Sequence, residues 1–496
     1  MDQFVTIIAL VGVVIIVASL LSGAIERTAI PLVAVFLALG AALGPWGFGL
    51  IEIGFESPEL RTLATLGLTL VLFSDAVTID TGEVRARKRL AWVVLVPGTL
   101  VPAVLMAAAA YYLLDVPAPA AAILGAGLAS TDPVLLRTML RSSALPPGTR
   151  MALRLESGMN DVALLPIIVI SMLILLGGSA GGDGLSSGEL GHHLVGLFLL
   201  GPALGAAVGY GGILILGNVR DRVGVRRDYE SMYALGLAFT GYAAAEAVGG
   251  SGFLAAFAAG FMVASQDVEL CDCFLEYGEA TAEMLLLLTF VALGASLIWT
   301  GLGVINVRTL AFAAIALFVR TLVLYPMLTH TGLDQRERKL VSLCGPRGLS
   351  ALLFLLVPVF AGVPGSQELF TVACLVVLLS VVIHGGGIAI FLRANAVPGA
   401  NVDTTAGGAR APATRASERP GSVQPGAVPE RIELAELREL LGRGEPVTVI
   451  DSRTEKSHRE HPDTSVGTVR IPPDDAVRGA TEKRLSQHST LVVYCA

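Results

Sequence analysis

Charged residues are scarce in this sequence. Asp, Glu, Lys and Arg together make up 15% of the 496 residues, whereas hydrophobic residues make up 54%. A soluble globular domain carries roughly 25% charged residues. The shortage argues against a soluble protein and indicates a chain that uses lipid as its solvent. The net charge of -7 says little about partners, because the charges are concentrated in a few stretches.

Cysteine is rare as well, and its placement excludes a disulfide framework. The five cysteines are Cys271, Cys273, Cys344, Cys374 and Cys495. The C-x-C at 271–273 is too sparse to form a zinc site by itself. The N-terminus also lacks the basic region of a cleavable signal peptide, and the apolar run from Phe4 is long enough to be a true span.

Long apolar runs, by contrast, recur from Val5 to Leu392. A hydrocarbon core about 30 Å thick takes roughly 20 apolar residues per helix. We therefore predict an all-α polytopic membrane protein with thirteen transmembrane helices. The predicted spans are 4–23, 29–45, 60–79, 91–113, 118–140, 153–176, 192–217, 230–249, 252–265, 281–300, 308–328, 339–361 and 368–392.

Basic residues cluster in the loops that follow odd-numbered spans, such as 85–89 and 220–227, and loops after even-numbered spans hold almost none. Because short basic loops stay in the cytoplasm, this bias predicts an N-terminus outside and a C-terminus inside a bacterial inner membrane. The basic loops are explained by this topology, and nothing in the sequence suggests nucleic-acid binding.

The composition changes after Arg393, and we divide the chain into three parts. Residues 1–393 form the transmembrane domain. Residues 394–430 are rich in Ala, Pro, Gly, Thr and Ser and predict a flexible linker. Residues 431–496 carry a soluble α/β pattern, with buried strands expected at 447–450 and 491–494.

Ionisable residues inside apolar spans are costly and mark candidate functional sites. Asp132 stands before Pro133 in the middle of the fifth span, where proline should break the helix. A break leaves backbone groups that only a protein-lined or wet cavity can satisfy. The plain interpretation is a proline kink with Asp132 capping the second half-helix, which is compatible with a site role for the neighbouring Thr131.

The sixth span carries a second polar group. Ser157 and Asp161 are four residues apart and share one helix face, while Glu156 and Asn160 share an adjacent face. With the opened backbone near Thr131, they form an oxygen cluster suited to an alkali cation or a proton. The alternative is that Asp161 is only ion-paired for stability.

The twelfth span is interrupted at Gly345-Pro346-Arg347-Gly348. Two broken helices at matching places in two halves are typical of a transporter site built from inverted repeats. Arg347 could offset half-helix carbonyl ends and pair with a carboxylate, and Arg320 is a second candidate for a buried positive charge. Glu156 is a candidate partner for either arginine, and the alternative for both is snorkelling to the interface.

Taken in order, these motifs resemble the monovalent cation/proton antiporter superfamily, in its sodium/proton exchanger branch, over roughly residues 5–392. The resemblance implies a homodimer in which one bundle of spans moves against another. It implies that Asp161 carries cation and proton in turn, helped by Thr131, Ser157 and Asp132. Electroneutral members of the family carry asparagine at the position of Asn160, so electroneutral exchange is expected.

The tail resembles the first half of a rhodanese domain, on Val449-Ile450-Asp451-Ser452-Arg453 and Val492-Val493-Tyr494-Cys495. Cys495 matches the catalytic cysteine of that family. The loop that would activate it does not follow, so we expect no sulfurtransferase activity from this chain. We also expect the native protein to be longer and the segment 394–496 to be poorly packed.

The sequence thus predicts a transporter rather than an enzyme, with no cofactor other than the transported Na+ or K+. A channel or sensor with a transporter-like fold is one alternative, and a membrane-tethered sulfurtransferase is another. Thirteen spans with buried charges would be a costly anchor for a sulfurtransferase. Side-chain identity does not reveal which alkali cation is moved.

Overall fold

The structure is a computed structural model that describes residues 11–17, 20, 32–79, 87–132, 135–136, 139–140, 145–179, 195–266, 278–394, 437, 447–452, 468–471, 483 and 490–494. The chain divides into two compact units, Met1–Ala409 and Arg410–Ala496. Most of the predicted span 4–23, the predicted linker beyond Ala394 and Cys495 lie outside the described residues.

The described part of the first unit is helical almost throughout. Its α-helices are α1 Leu32–Leu43, α2 Pro58–Val77, α3 Lys88–Leu95, α4 Pro97–Leu114, α5 Ala118–Ala129, α6 Pro147–Ser179, α7 Gly201–Arg222, α8 Arg227–Glu246, α9 Gly252–Gln266, α10 Glu279–Ala295, α11 Thr300–Gly303, α12 Val307–Met327, α13 Gln335–Leu343, α14 Leu349–Phe360, α15 Ser366–Ser380 and α16 Gly386–Ala394. Two π-helical turns, Gly196–Leu200 and Val381–Gly385, precede α7 and α16.

The mostly helical membrane fold is confirmed. Six helices in the described residues are long and apolar enough to cross a membrane, and a bent pair, Ala280–Ala295 with Leu297–Gly303, makes a seventh candidate. Shorter apolar helices, among them α5 and α14, occupy other predicted spans. Every predicted span from 29–45 onward therefore contains a helix, but the count of thirteen crossings stays a prediction.

Both predicted helix breaks are present. Helix α5 ends at Ala129, and the next residue, Ser130, has extended backbone angles. Helix α13 ends at Leu343, and residues 344–348 are non-helical before α14 begins. Proline and glycine explain the second interruption, because proline removes a backbone donor and glycine has the weakest helix preference of the ordinary residues.

Close packing of the helices depends on small residues. A Cβ atom on Gly40 of α1 would overlap the backbone of Val291 and Gly294 in α10, and one on Gly205 of α7 would overlap the backbone at Ala255 in α9. Small residues let membrane helices approach closely, where van der Waals contact stabilises their association. The large apolar core of the unit includes residues from α1, α2, α5, α10, α14 and α15.

The described part of the second unit is a three-stranded parallel sheet. Strand β1 Val447–Asp451 lies between β2 Val469–Arg470 and β3 Thr490–Tyr494. The two strands predicted from the sequence are thus present. The predicted burial of 491–494 is wrong in part, because Leu491 and Val493 are exposed. The rhodanese-like interpretation stays a prediction.

Candidate functional site

The two helix breaks cross each other inside the first unit. The N–H of Asp132 donates to the carbonyl of Pro346 at 3.0 Å. The carboxylate of Asp132 accepts a hydrogen bond from the N–H of Leu349 at 2.9 Å, so it caps the first turn of α14. The sequence suggested a cap of the second half of its own span. In the structure, the carboxylate caps a helix of the other broken span.

Gly348 makes this cap possible. A Cβ atom at this position would overlap the carboxylate of Asp132. Asp132 itself is fully buried, so the carboxylate has little room to move aside. A negative charge at the N-terminus of a helix is also stabilised by the helix dipole.

Arg347 caps the C-terminal end of a helix, whereas Asp132 caps an N-terminal end. Its Nη1 donates to the carbonyls of Ala129 and Ser130, at 2.7 and 3.2 Å, where α5 stops. These are carbonyls that no longer have a partner within the helix. The predicted offset of half-helix carbonyls is therefore the arrangement found. Arg347 is fully buried, so the snorkelling alternative is wrong for it.

Arg320 and Glu156 form a buried bidentate ion pair. Nε of Arg320 donates to Oε1 of Glu156 at 2.6 Å, and Nη2 donates to Oε2. Nη1 donates to the carbonyls of Val341 and Ser342, at 2.8 Å each, near the end of α13. Of the two partners that the sequence allowed for Glu156, the structure selects Arg320. Both side chains are buried, so Arg320 does not snorkel either.

Asp161 has a different environment. Its side chain is only 1% exposed, and Oδ1 accepts a hydrogen bond from the hydroxyl of Ser130 at 2.7 Å. Among the residues that the structure describes, no arginine, lysine or histidine pairs with it. The alternative that Asp161 is ion-paired for stability thus finds no support in the described residues. Ser130 was not singled out from the sequence, although its place in the opened backbone before Thr131 was an available signal.

Asn160 joins the same two elements. Its Nδ2 donates to Oγ1 of Thr131 at 2.9 Å, while its Oδ1 is buried with no hydrogen-bond partner in the described residues. Ser157 is buried too, but its hydroxyl donates to the carbonyl of Arg154 at 3.3 Å. The structure therefore links Asn160 to Thr131 directly, and the expected role of Ser157 as an ion ligand stays a prediction.

A third element approaches this region. An ideal Cβ on Gly158 of α6 would lie 3.4 Å from the carbonyl oxygen of Asp75 and 3.5 Å from Oγ1 of Thr78. The end of α2 thus packs on α6 beside Ser157. The oxygen-rich cluster formed by Ser130, Thr131, Asp132, Asn160 and Asp161, called the crossing cluster below, is bounded by the two breaks and α6.

The chain has relatives among known antiporters. Residues 12–394 match the family described as sodium/hydrogen exchanger, transmembrane. The K(+)/H(+) antiporter NhaP of Alkalimonas amylolytica is 26% identical over 391 residues, which are 78% of this chain and 66% of that protein. The Na(+)/H(+) antiporter NhaH of Halobacillus aidingensis is 27% identical over 408 residues, 77% of this chain and 96% of that protein.

A solved structure shows the same fold. The sodium proton antiporter MjNhaP1 of Methanocaldococcus jannaschii superposes with a TM-score of 0.62 at 19% identity, over 79% of this chain and 99% of that one. The chain spans about two thirds of the length of the K(+)/H(+) antiporters that it matches. The named relatives are transporters and not enzymes, in agreement with the sequence analysis. The match over residues 12–394 places the chain in the sodium/hydrogen exchanger family of transmembrane proteins.

Proposed function

We propose that this protein is a secondary antiporter that exchanges a monovalent cation for protons, with Asp161 as the group that holds either one. The observation that carries the proposal is the contrast between two buried carboxylates. Glu156 is neutralised by Arg320, whereas Asp161 has only the hydroxyl of Ser130 as a described hydrogen-bond partner. A buried carboxylate without a fixed cation is expected to take up a mobile one, either a metal cation or a proton.

The neighbouring oxygens suit an alkali cation. The buried Oδ1 of Asn160 has no described partner, and hard cations prefer oxygen ligands. Asp132 adds a second carboxylate that interacts electrostatically with Asp161. Ser157 and the opened backbone at Thr131 complete the proposed ligand set. Two carboxylates and several neutral oxygens favour positive charge without fixing which alkali cation enters.

The same arrangement supports electroneutral exchange. Residue 160 is an amide and donates to Thr131, so it does not titrate. With the carboxylate of Asp132 engaged as the cap of α14, the proposed site then has one group, Asp161, that exchanges one proton for one monovalent cation. Alternating access would carry the loaded site from one face of the membrane to the other. The relatives named above are K(+)/H(+) and Na(+)/H(+) antiporters, so Na+ and K+ are both proposed substrates.

The test is pH-gradient dequenching in proteoliposomes that contain the purified full-length chain. Na+, K+ and Li+ are titrated separately at several pH values. If proton and cation compete for Asp161, the apparent KM for the cation rises as pH falls, by up to about tenfold per pH unit from mass action. A cation KM that does not change with pH would contradict a shared site. A channel would instead give conductance that does not depend on a counter-transported proton.

The assembly and orientation belong to the same proposal. We propose a homodimer in a bacterial inner membrane, with the N-terminus outside and the C-terminus in the cytoplasm. Cross-linking in native membranes tests the dimer. Labelling of single cysteines placed in the loops 85–89 and 178–191 with a membrane-impermeant reagent tests the orientation, because the two loops are expected on opposite faces.

A further inference from the structure

The peptide bond between Pro346 and Arg347 has hydrogen-bond partners on both sides. Its carbonyl oxygen accepts from the N–H of Asp132 at 3.0 Å. Its N–H donates to the hydroxyl of Ser380, the last residue of α15, at 2.7 Å. One peptide plane therefore connects the first helix break to the final span of the domain. Rotation of this plane would break both hydrogen bonds together.

Ser380 is itself held in place. Its side chain is fully buried, and its Oγ lies 3.1 Å from Nδ1 of His384, one turn further along the chain. Because Oγ accepts the N–H of Arg347, its own hydrogen is free to point at Nδ1 of a neutral His384. The Val381–Gly385 segment that carries His384 is a π-helical turn. Such turns are rare and occur often at functional sites.

We propose that Ser380, oriented by His384, is a positioning residue for the crossing cluster. It fixes the plane of the Pro346–Arg347 peptide and so fixes Asp132 at the site of ion exchange. The effect on ion exchange rests on the proposed function, whereas the hydrogen bond by which Ser380 holds the peptide plane does not. Arg347 follows the same peptide plane, so the position of its guanidinium at the end of α5 depends on the same hydroxyl.

The central variant is Ser380→Ala, with Ser366→Ala as its matched control. Both serines are buried in α15, but the hydroxyl of Ser366 only donates to the carbonyl of Val363 in the turn at the other end of that helix. Ser366→Ala leaves the carbonyl of Val363 with the N–H of Ser366 as a donor. Only Ser380→Ala strands a buried N–H at the second break.

Two measurements are made on the full-length protein. Hydrogen–deuterium exchange of the peptides that cover 343–352 reports the N–H of Arg347 without reference to transport. Proteoliposome assays report the cation KM and the maximal rate. We expect Ser380→Ala to speed deuterium uptake in 343–352 and to raise the KM at least about tenfold, with a smaller change in maximal rate. Ser366→Ala should change neither the uptake in this segment nor the KM.

Variants of His384 test whether this histidine orients the hydroxyl of Ser380. His384→Asn keeps a neutral acceptor near the position of Nδ1, and His384→Leu removes it. We expect His384→Leu to shift uptake and KM in the direction of Ser380→Ala and His384→Asn to stay near wild type. Ser380→Thr, which retains the hydroxyl, should restore slow uptake in 343–352.

The outcomes separate the two proposals. Unchanged deuterium uptake in Ser380→Ala overturns the positioning role, and so does faster uptake with a wild-type KM. Absence of cation-driven proton movement in the wild-type protein overturns the proposed function instead. In that case the exchange data still decide whether Ser380 holds the peptide.

Discussion

Oδ2 of Asp132 lies 2.9 Å from the backbone nitrogen of Leu349, 217 residues further along the chain. This bond joins a residue of one broken span to the first turn of a helix in another. The crossing cluster is therefore a tertiary arrangement rather than a property of either span. Changes at its edges should affect exchange even where they do not touch the cation.

Asp161→Asn should abolish cation-driven proton movement and leave the protein folded. An amide can still accept the hydrogen bond of Ser130, but it can hold neither a proton nor a cation by charge. Asp115→Asn is the control, since Asp115 is exposed and has a left-handed backbone that asparagine adopts readily. Exchange at the wild-type rate in a well-folded Asp161→Asn would contradict the mechanism.

Transport should be insensitive to membrane potential. With a single exchanging carboxylate at the site and an amide at Asn160, one proton replaces one cation and no net charge moves. The measurement is the initial rate in proteoliposomes at a fixed pH gradient, with the potential set by valinomycin at two K+ ratios and Na+ as the transported ion. The control is the same pair of K+ ratios without valinomycin, because K+ is itself a proposed substrate. A change of rate that appears only with valinomycin would show that net charge moves.

Glu156→Ala should lower the melting temperature more than Asp161→Asn does. Removing one partner of a buried ion pair typically costs roughly 3–5 kcal/mol, because the other charge is stranded. Arg320 would keep its bonds to Val341 and Ser342 but lose its counter-charge. Glu156→Gln keeps the shape of the side chain and one acceptor oxygen, so its melting temperature should fall between those of Glu156→Ala and Asp161→Asn. Equal melting temperatures for Glu156→Ala and Asp161→Asn would argue against this account.

Gly348→Ala should weaken both stability and exchange. The new methyl group would overlap the carboxylate of Asp132, and overpacking of this kind typically costs about 1–3 kcal/mol. The displaced carboxylate would lose its cap on α14, so we expect most of the exchange activity to be lost. Gly217→Ala is the control, because a Cβ there meets nothing within 4 Å. If the two variants exchange equally well, the cap is not needed for transport.

The positions of both breaks could be predicted from the sequence because proline and glycine act locally on the backbone. The charged residues of the site could be found as well, since each is conspicuous in an apolar span. Their partners could not be assigned in the same way. Periodicity shows that Ser157 and Asp161 share a helix face, but it does not reveal that the hydroxyl of Ser157 turns to Arg154.

Contacts between spans explain where the partners found in the structure differ from those expected from the sequence. Asp132 was expected near a helix start, yet which helix start it meets depends on how the two breaks cross. Glu156 had two possible arginines, and only the packing of α12 against the second break decides for Arg320. Ser130 was missed although it stands beside Thr131 at the predicted break, and Ser380 was missed because a single serine in an apolar run carries no signal until its tertiary neighbour is known.

In the proposed exchanger, the opposite capping of the two breaks would limit the leak of ions across the membrane. Arg347 meets helix carbonyls, Asp132 meets a helix N–H, and Glu156 is matched by Arg320. Counted in their ionised forms, these four side chains sum to zero, and Asp161 leaves a single negative charge. An exchanger of the proposed kind would therefore be neutral when loaded with either a proton or a monovalent cation. Empty, it would present a bare charge to hydrocarbon, a cost of several kcal/mol. The unloaded site would then seldom cross the membrane, which would keep the two ion fluxes tightly coupled.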